Sequence, residues 1–230
     1  MNPSTLLSTV KRRGMALVFI LYPCLAGFAF AVHPDLFSPR LGLDVQAKIV
    51  GFHGNELLHF GHVLMTVAVP LLIAIAIHFM NLLEHKSGWL GLIGGVLAVT
   101  GAVVLALDKA ALCLVPSALD TLPEAQFQAM IPGIQAMFHY QGWLWLLWLL
   151  PLLPLGFILL TIGLVRSNAI PRWQAILMLV GSILMANPDI DLIGLAATVI
   201  LGLGFIPYAL SLMAEPEAPA RRDYYPAPAR

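Results

Sequence analysis

The sequence has 230 residues, of which 60% are hydrophobic and only 10% are charged, and its formal net charge is zero. An average soluble domain carries roughly 25% charged residues, so the composition excludes a water-soluble fold. The balanced charge also argues against binding to nucleic acid, which needs a basic surface. We therefore expect an all-α protein whose main partner is the lipid bilayer.

Six segments have the length and the apolar composition of membrane-spanning helices, which need roughly 20 mostly apolar residues. They lie at about 14–32, 55–82, 88–112, 139–165, 171–187 and 191–213. Together they predict a single six-helix transmembrane domain over residues 1–213. The fifth segment is short, and it ends at Asn187-Pro188-Asp189 because a proline next to an aspartate is costly for a helix in hydrocarbon.

The basic residues predict the direction in which these segments cross. Nine lie on the side of both chain ends and three on the other side: Lys11, Arg12, Arg13, Lys86, Arg166, Arg172, Arg221, Arg222 and Arg230 against Arg40, Lys48 and Lys109. The positive-inside rule then places both ends in the cytoplasm, and we expect a bacterial cytoplasmic (inner) membrane. Residues 214–230 are rich in proline and alanine, which predicts a cytoplasmic tail that is disordered or binds other membrane subunits.

The second segment carries the strongest functional pattern. Asn55, His59, His62 and Thr66 are spaced by four, three and four residues, so they share one face of a helix. Glu56 precedes His59 by three residues, a spacing typical of di-metal bundles in which two helices carry it; here it occurs once. Two histidines beside a carboxylate indicate a metal or cofactor site, although hydrogen bonds to neighbouring helices would explain them equally well.

Two further residues complete the predicted site in the outer half of the bundle. The third segment has small residues at helical spacing, which we interpret as a close-packing seam: Gly94, Ala98, Gly101 and Leu105. Asp108 continues this seam and should point into the bundle, and His139 opens the fourth segment. The predicted cofactor-binding residues are His59, His62 and His139, and a metal ion would add Glu56 and Asp108. Imidazole suits zinc, copper and iron, so the cofactor would be a transition-metal ion or haem b.

The second and third segments are also similar to the fourth and fifth. His59-Phe60 and His139-Tyr140 open the two pairs, and Asp108 and Asp189 close them. Both pairs run in the same direction, so a duplication would be parallel, with its axis along the membrane normal. Apolar helices align easily, and no long identity accompanies the match. The duplication is therefore a hypothesis about the fold.

The sequence carries no motif that names a reaction, such as a nucleotide-binding loop, a nucleophile elbow or a metalloprotease helix. It does not decide whether the protein is an enzyme. Three functions stay open. The protein could bind a metal ion or haem in the outer half of the bundle, or it could be an accessory subunit of a membrane complex. The third alternative is a small proton-coupled transporter, in which the histidines and the Asp108–Lys109 pair would relay protons.

Overall fold

A computed structural model describes residues 3–34, 36–37, 45–187 and 190–214, with side chains from residue 6 onward. These residues form helices and turns and contain no strand. The helices are α1 (Pro3–Ala31), α2 (Val45–Phe52), α3 (Glu56–Leu83), α4 (Gly88–Lys109), α5 (Val115–Leu119), α6 (Glu124–Phe138), α7 (Leu152–Ser167), α8 (Arg172–Leu184) and α9 (Asp191–Ala214). A π-helical turn covers Ala110–Leu114, and a 3-10 helix covers Gly142–Leu149.

Five helical stretches in the described residues are long and apolar enough to cross a membrane: Leu6–Ala31, Glu56–Leu83, Gly88–Leu119, Gly142–Ser167 and Asp191–Ala214. The fifth predicted segment, 171–187, corresponds to α8, which is apolar but only 13 residues long. At about 1.5 Å per residue it extends about 20 Å, less than the roughly 30 Å of a bilayer core. The prediction of an all-α membrane protein is confirmed, and the sixth crossing stays a prediction.

The long helices and α8 form a closed ring. α1 packs against α3 and α9, α3 against α4, α4 against α7, α7 against α8, and α8 against α9. α3 also contacts α7 across the ring. Successive members of the ring are joined at alternating ends, so neighbouring helices run antiparallel.

Aromatic side chains fill the inside of the ring, and aliphatic side chains cover its outside. The Phe19 ring lies 5.5 Å from that of Phe79 and 5.2 Å from that of Phe205, and all three side chains are fully buried or nearly so. Large apolar residues such as Val96 and Val199 are exposed. Lipid tails solvate such a surface as well as a protein core would, so the outside of the ring suits a bilayer.

The predicted close-packing seam on α4 is confirmed, and its partner is α7. Gly94, Ala98, Gly101 and Leu105 are all buried. A Cβ atom added at Gly101 would lie 2.2 Å from the backbone nitrogen of Leu153 on α7. Glycine is therefore required at this position because the two backbones touch there.

The fourth predicted segment, 139–165, is not one continuous helix. Tyr140 and Gly142 have positive φ angles of 54° and 61°, which end α6 and start the 3-10 helix. Pro151 then separates that helix from α7, because proline has no N–H to donate to the helix ladder. The connection before it folds into α5 and α6 rather than an open loop.

The two halves of the hypothetical duplication differ in their helices. His59 lies in the first turn of α3, whereas His139 caps α6 and is separated from α7 by the 3-10 helix. α4 has 22 residues and α8 has 13. Asp189 and residues 215–230 lie outside the described residues, so the duplication and the tail stay predictions.

Candidate functional site

Three short helices close one end of the ring. α2, α5 and α6, which we call the cap, lie over the end at which α3 begins and α4 ends. Ile49 of α2 packs with Phe127 and Ile134 of α6 in a small apolar core. We call this end of the molecule the histidine end, because it contains five of the seven histidines: His33, His53, His59, His62 and His139.

Asp120, which follows α5, joins the cap to the start of α3. Its Oδ1 atom lies 2.5 Å from Nδ1 of His53, and its Oδ2 atom lies 3.0 Å from Nε2 of His59. The backbone N–H of Gly54 also donates to Oδ2, at 2.8 Å. The carboxylate is thus surrounded by the segment from His53 to His59, although Asp120 is 61 residues from His59 in sequence.

A tight turn between α2 and α3 makes these contacts possible. Gly54 has a φ angle of +67°, in the left-handed region that glycine adopts without strain. Asn55 then caps α3, because its side-chain oxygen accepts a hydrogen bond from the backbone N–H of Leu58 at 3.1 Å. The turn and the cap together fix His53 and His59 relative to each other.

These contacts shift the pKa values of the ionisable groups between the cap and α3. The hydrogen bond to Asp120, and the nearby carboxylate charges, raise the pKa of His53 above its usual value. Glu124, 3.2 Å from His53 Nε2, has a lowered pKa, mainly because Gln128 donates a hydrogen bond to it. Desolvation raises the pKa of Asp120, but the hydrogen bonds it accepts outweigh that effect and leave its pKa lowered. Charge-assisted hydrogen bonds therefore hold the cap when His53 is protonated.

His62 lies one turn deeper along α3 and is only 3% exposed. Phe52 of α2 stacks on its ring at 5.2 Å, and the ring of His33 meets it edge-on at 5.3 Å. His33 follows α1, and its Nδ1 atom lies 3.1 Å from Oδ2 of Asp191, the first residue of α9. Phe52 and His33 thus pack against His62, and Asp191 of α9 holds His33.

The hydrogen bonds determine which ring nitrogens are available to a ligand. Asp120 accepts the proton on Nε2 of His59, which leaves the lone pair on Nδ1. The carboxylate of Asp191, 3.1 Å from Nδ1 of His33, favours a proton on that nitrogen by its charge and so leaves the lone pair on Nε2. Nδ1 of His59 and Nδ1 of His62 are buried and have no hydrogen-bond partner among the described residues. Carboxylate–histidine pairs of this kind orient imidazoles that bind metals.

The other predicted site residues, Asp108, Glu56 and His139, differ in their burial and in their contacts. Asp108 is buried, and its carboxylate lies 3.1 Å from Nζ of Lys109, which interacts electrostatically with His62. Glu56 and His139 are exposed, and neither side chain forms a hydrogen bond or ion pair with another described residue. In the described ranges, no three or more His, Cys, Asp or Glu side chains are arranged as the ligands of one metal ion.

A small pocket lies between the cap and α3. It is lined by Ile49, Phe52, His53, His59, Pro116, Asp120, Phe127, Ile134 and Phe138. Most of these side chains are apolar, so the His53–Asp120–His59 group is the polar part of an otherwise apolar chamber. His53 is exposed at the edge of this pocket, whereas Asp120 and His59 are partly buried.

Four residues of this site were not among the predicted ones: His33, His53, Asp120 and Asp191. Spacing within one helix cannot show that Asp120 meets His53 across 67 residues. One local signal was available for His53, because the Gly54-Asn55 turn directly after it marks the start of α3 and fixes its distance from His59. The partners on other elements required the fold.

Comparison with known proteins adds the family of the chain. No curated protein and no solved structure matches it at a significant level. One family matches residues 15–213, a range that contains the cap, every helix from α2 to α8, and most of α1 and α9. The chain therefore belongs to the family described as "Domain of unknown function (DUF4386)".

Proposed function

We propose that this membrane protein binds a transition-metal ion at the histidine end, with Nδ1 of His59 and Nδ1 of His62 as ligands. The observation that carries the proposal is that both nitrogens are buried without a hydrogen-bond partner in the described structure. An unsatisfied buried polar group costs about 1–3 kcal/mol. The two histidines are one turn apart on the same face of α3, and the proposed ion would bind to both Nδ1 atoms.

The surroundings of these two histidines support a metal ion. A third imidazole lies beside the pair, since the ring of His33 is 5.3 Å from that of His62. Asp120 and Asp191 hold two of the imidazoles in the orientation that metal sites use. The positive charge of Lys109 opposes a cation, and Asp108 offsets it from 3.1 Å away.

The geometry favours a small ion over haem b. The two axial ligands of a haem approach the iron from opposite faces of the macrocycle. His59 and His62 lie on one helix, one turn apart, so they cannot do this. His33 and His62 are too close for a macrocycle to fit between them, since their ring centres are 5.3 Å apart.

Equilibrium dialysis against Zn²⁺, followed by elemental analysis, tests the proposal on the purified full-length protein. We expect stoichiometric zinc in the native protein and its loss in His62→Ala. Asp120→Asn should weaken zinc binding by about 10–100-fold, because it removes an outer-shell hydrogen bond from His59. His85→Ala is the matched control, since His85 is exposed at the other end of α3 and should not affect zinc. Folded His59→Ala and His62→Ala variants that both keep native zinc affinity would contradict the proposal.

The same dialysis decides the roles of Glu56 and His139. Both belong to the set of ligands that the sequence predicts, and both are exposed in the structure. Under the proposal, Glu56→Gln and His139→Ala retain zinc. Loss of zinc in either variant would mean that the substituted residue is a ligand of the ion. The cap would then have to move when the ion binds.

We also propose six crossings with both chain ends in the cytoplasm of a bacterium. The position of α8 between α7 and α9 supports the sixth crossing, because α8 completes the ring. Most described basic residues lie at the end opposite to the histidine end, in agreement with the positive-inside rule: Lys11, Arg12, Arg13, Lys86, Arg166 and Arg172. An accessory role through the tail stays a prediction, since residues 215–230 lie outside the described part of the chain.

Proton-coupled transport is a second candidate function, favoured by one buried hydrogen bond. Nε2 of His78 on α3 lies 2.7 Å from the hydroxyl of Tyr208 on α9, inside two of the apolar helices. Ionisable groups at such positions commonly serve proton pathways. Proteoliposomes containing a pH-sensitive dye would report proton flux, which His78→Phe should abolish. Equal flux with native protein and His78→Phe would contradict this candidate.

A further inference from the structure

Phe52, the last residue of α2, packs against both histidines of the proposed metal site. Its ring stacks on that of His62, with the ring centres 5.2 Å apart and the ring planes inclined by 25°. The same ring lies 6.2 Å from that of His59. The two imidazoles therefore share one apolar neighbour, and that neighbour belongs to the cap.

The turn between α2 and α3 brings Phe52 to this position. The backbone N–H of Asn55 donates to the backbone oxygen of Phe52 at 3.2 Å, and Gly54 has its φ angle of +67°, so the chain reverses directly after α2. His59 and His62 lie in the first two turns of α3. The end of α2 is thereby folded back over these turns.

Phe52 also lies between His62 and the small pocket under the cap. Phe52 and His59 line that pocket, whereas His62 does not line it and is only 3% exposed. The ring of Phe138, another lining residue, lies 5.7 Å from that of Phe52. A solute in the pocket therefore meets the ring of Phe52 before it can reach His62.

The two rings that pack on His62 are held in different ways. Nδ1 of His33 lies 3.1 Å from the carboxylate of Asp191, which ties this ring to the start of α9. Phe52 has no polar side-chain group, so only stacking and apolar contacts keep its ring in place. Of the two, the Phe52 ring is the one that can turn to another rotamer without breaking an ion pair.

We propose that Phe52 is a lid that controls the access of solutes from the pocket to His62. With the ring stacked, water and ions are excluded from the imidazole; with the ring turned away, the pocket extends to it. As a control of ion entry, this inference rests on the proposed function, in which His62 is a ligand. A lid changes the rates of ion binding and release by the same factor, so the dissociation constant stays nearly the same.

Reaction of histidines with diethyl pyrocarbonate, mapped by mass spectrometry, tests the lid on the metal-free full-length protein in detergent. We expect His62 to react slowly in the native protein and about tenfold faster in Phe52→Ala, because this variant lacks the ring contacts that favour the closed state. His85 and His139 are exposed and should react at the same rate in all variants, so they are the internal reference.

Phe127→Ala is the matched control. Phe127 lines the same pocket, but its ring stacks on that of His53, at 4.3 Å, and not on that of His62. This variant loosens the cap and keeps the lid, so His62 should stay protected. Phe52→Leu keeps a smaller apolar side chain under the cap and should give an intermediate rate. It keeps the test decisive even when Phe52→Ala does not fold.

Two results would overturn the proposal. The first is an equal rate of His62 modification in the native protein and in the Phe52 variants. The second is equally fast modification in Phe127→Ala and Phe52→Ala, because the whole cap would then be the barrier. Both measurements use metal-free protein. A native protein that binds no zinc would therefore contradict the proposed function, while the His62 rates would still decide whether the lid exists.

Discussion

At the histidine end, His59 donates its Nε2 proton to the carboxylate of Asp120 and keeps Nδ1 available. The carboxylate of Asp191 lies 3.1 Å from Nδ1 of His33 as an ion pair. A carboxylate fixes both the tautomer and the orientation of the ring that it binds. Without it, an imidazole can rotate or move its proton to the other nitrogen, which then cannot bind a ligand. The chemistry of this end therefore depends on the aspartates as much as on the histidines.

The stability of the cap should depend on pH through His53. Its pKa is raised, so its stabilising contribution is complete below about pH 6.5 and is lost as the pH rises through the folded-state value. The pKa values of Asp120 and Glu124 are lowered, so their contribution is present above about pH 4 and is lost in acid. We expect His53→Gln to lower the Tm most near pH 6 and least near pH 9.

Thermal unfolding in detergent at several pH values measures this effect, with His85→Gln as the control, because His85 is exposed at the opposite end. A constant difference in Tm between native protein and His53→Gln across the pH range would show that the cap does not depend on the charge of His53.

The sequence identified part of this site. His59 and His62 were found because their spacing on one helix is visible in the sequence, and Asp108 because it continues the α4 seam. Asp120 and Asp191 were not found, since they reach the histidines from other elements. Glu56 was chosen as the carboxylate partner of His59 because it is near in sequence. It is exposed in the structure, and the carboxylate that contacts His59 is that of Asp120.

Glycines bring the backbones of α4 and α7 into direct contact. A Cβ atom at Gly156 of α7 would lie 2.2 Å from the backbone nitrogen of Ala98. Gly101 makes an equally close approach to Leu153. Small residues on both helices thus bring the backbones together, which is how helices gain contacts in lipid, where the hydrophobic effect does not drive them together.

Gly101→Ala should destabilise the protein by about 1–3 kcal/mol, because the added methyl group meets backbone and neither helix can move without cost. Gly14→Ala is the matched control, since nothing lies within 4 Å of a Cβ atom there and alanine favours the helix. Denaturation of the two variants in mixed micelles compares them. A Gly101→Ala protein as stable as Gly14→Ala would mean that α4 and α7 are further apart than described.

A helix was predictable from the sequence where the length of its apolar segment alone defines it. α3, α4 and α9 agree closely with the second, third and sixth predicted segments, because each begins and ends at polar or turn residues. The fourth segment was predicted as one helix. The left-handed residues Tyr140 and Gly142 break it in the structure, but they do not interrupt the apolar pattern of the sequence, so the break was not visible there. The cap was harder still, because its short helices are stabilised by packing on each other and not by their own length.

At the scale of the whole molecule, the two ends of the ring differ. The histidine end carries the cap, the carboxylate–histidine pairs and a small pocket. The opposite end has short turns between α3 and α4 and between α7 and α8, with exposed Lys86 and Arg166. This difference follows the charge asymmetry of the sequence, which predicts that the histidine end faces away from the cytoplasm.

Single cysteines in a background without Cys24 and Cys113 test this topology. Thr121→Cys should react with a membrane-impermeant maleimide added outside intact cells, and Lys86→Cys should react only after the membrane is opened. Ala186→Cys, just after α8, should react like Thr121→Cys when α8 crosses the membrane. If Ala186→Cys instead reacts only after the membrane is opened, as Lys86→Cys should, then α8 does not cross and the number of crossings is five.

X-ray absorption at the zinc edge of the zinc-loaded protein shows whether His59 and His62 bind a metal ion. We expect imidazole nitrogens at about 2.0–2.1 Å from zinc, with the imidazole signal reduced in His62→Ala and unchanged in His85→Ala. A first shell that contains only oxygen atoms, or an imidazole signal equal in native protein and His62→Ala, would contradict it.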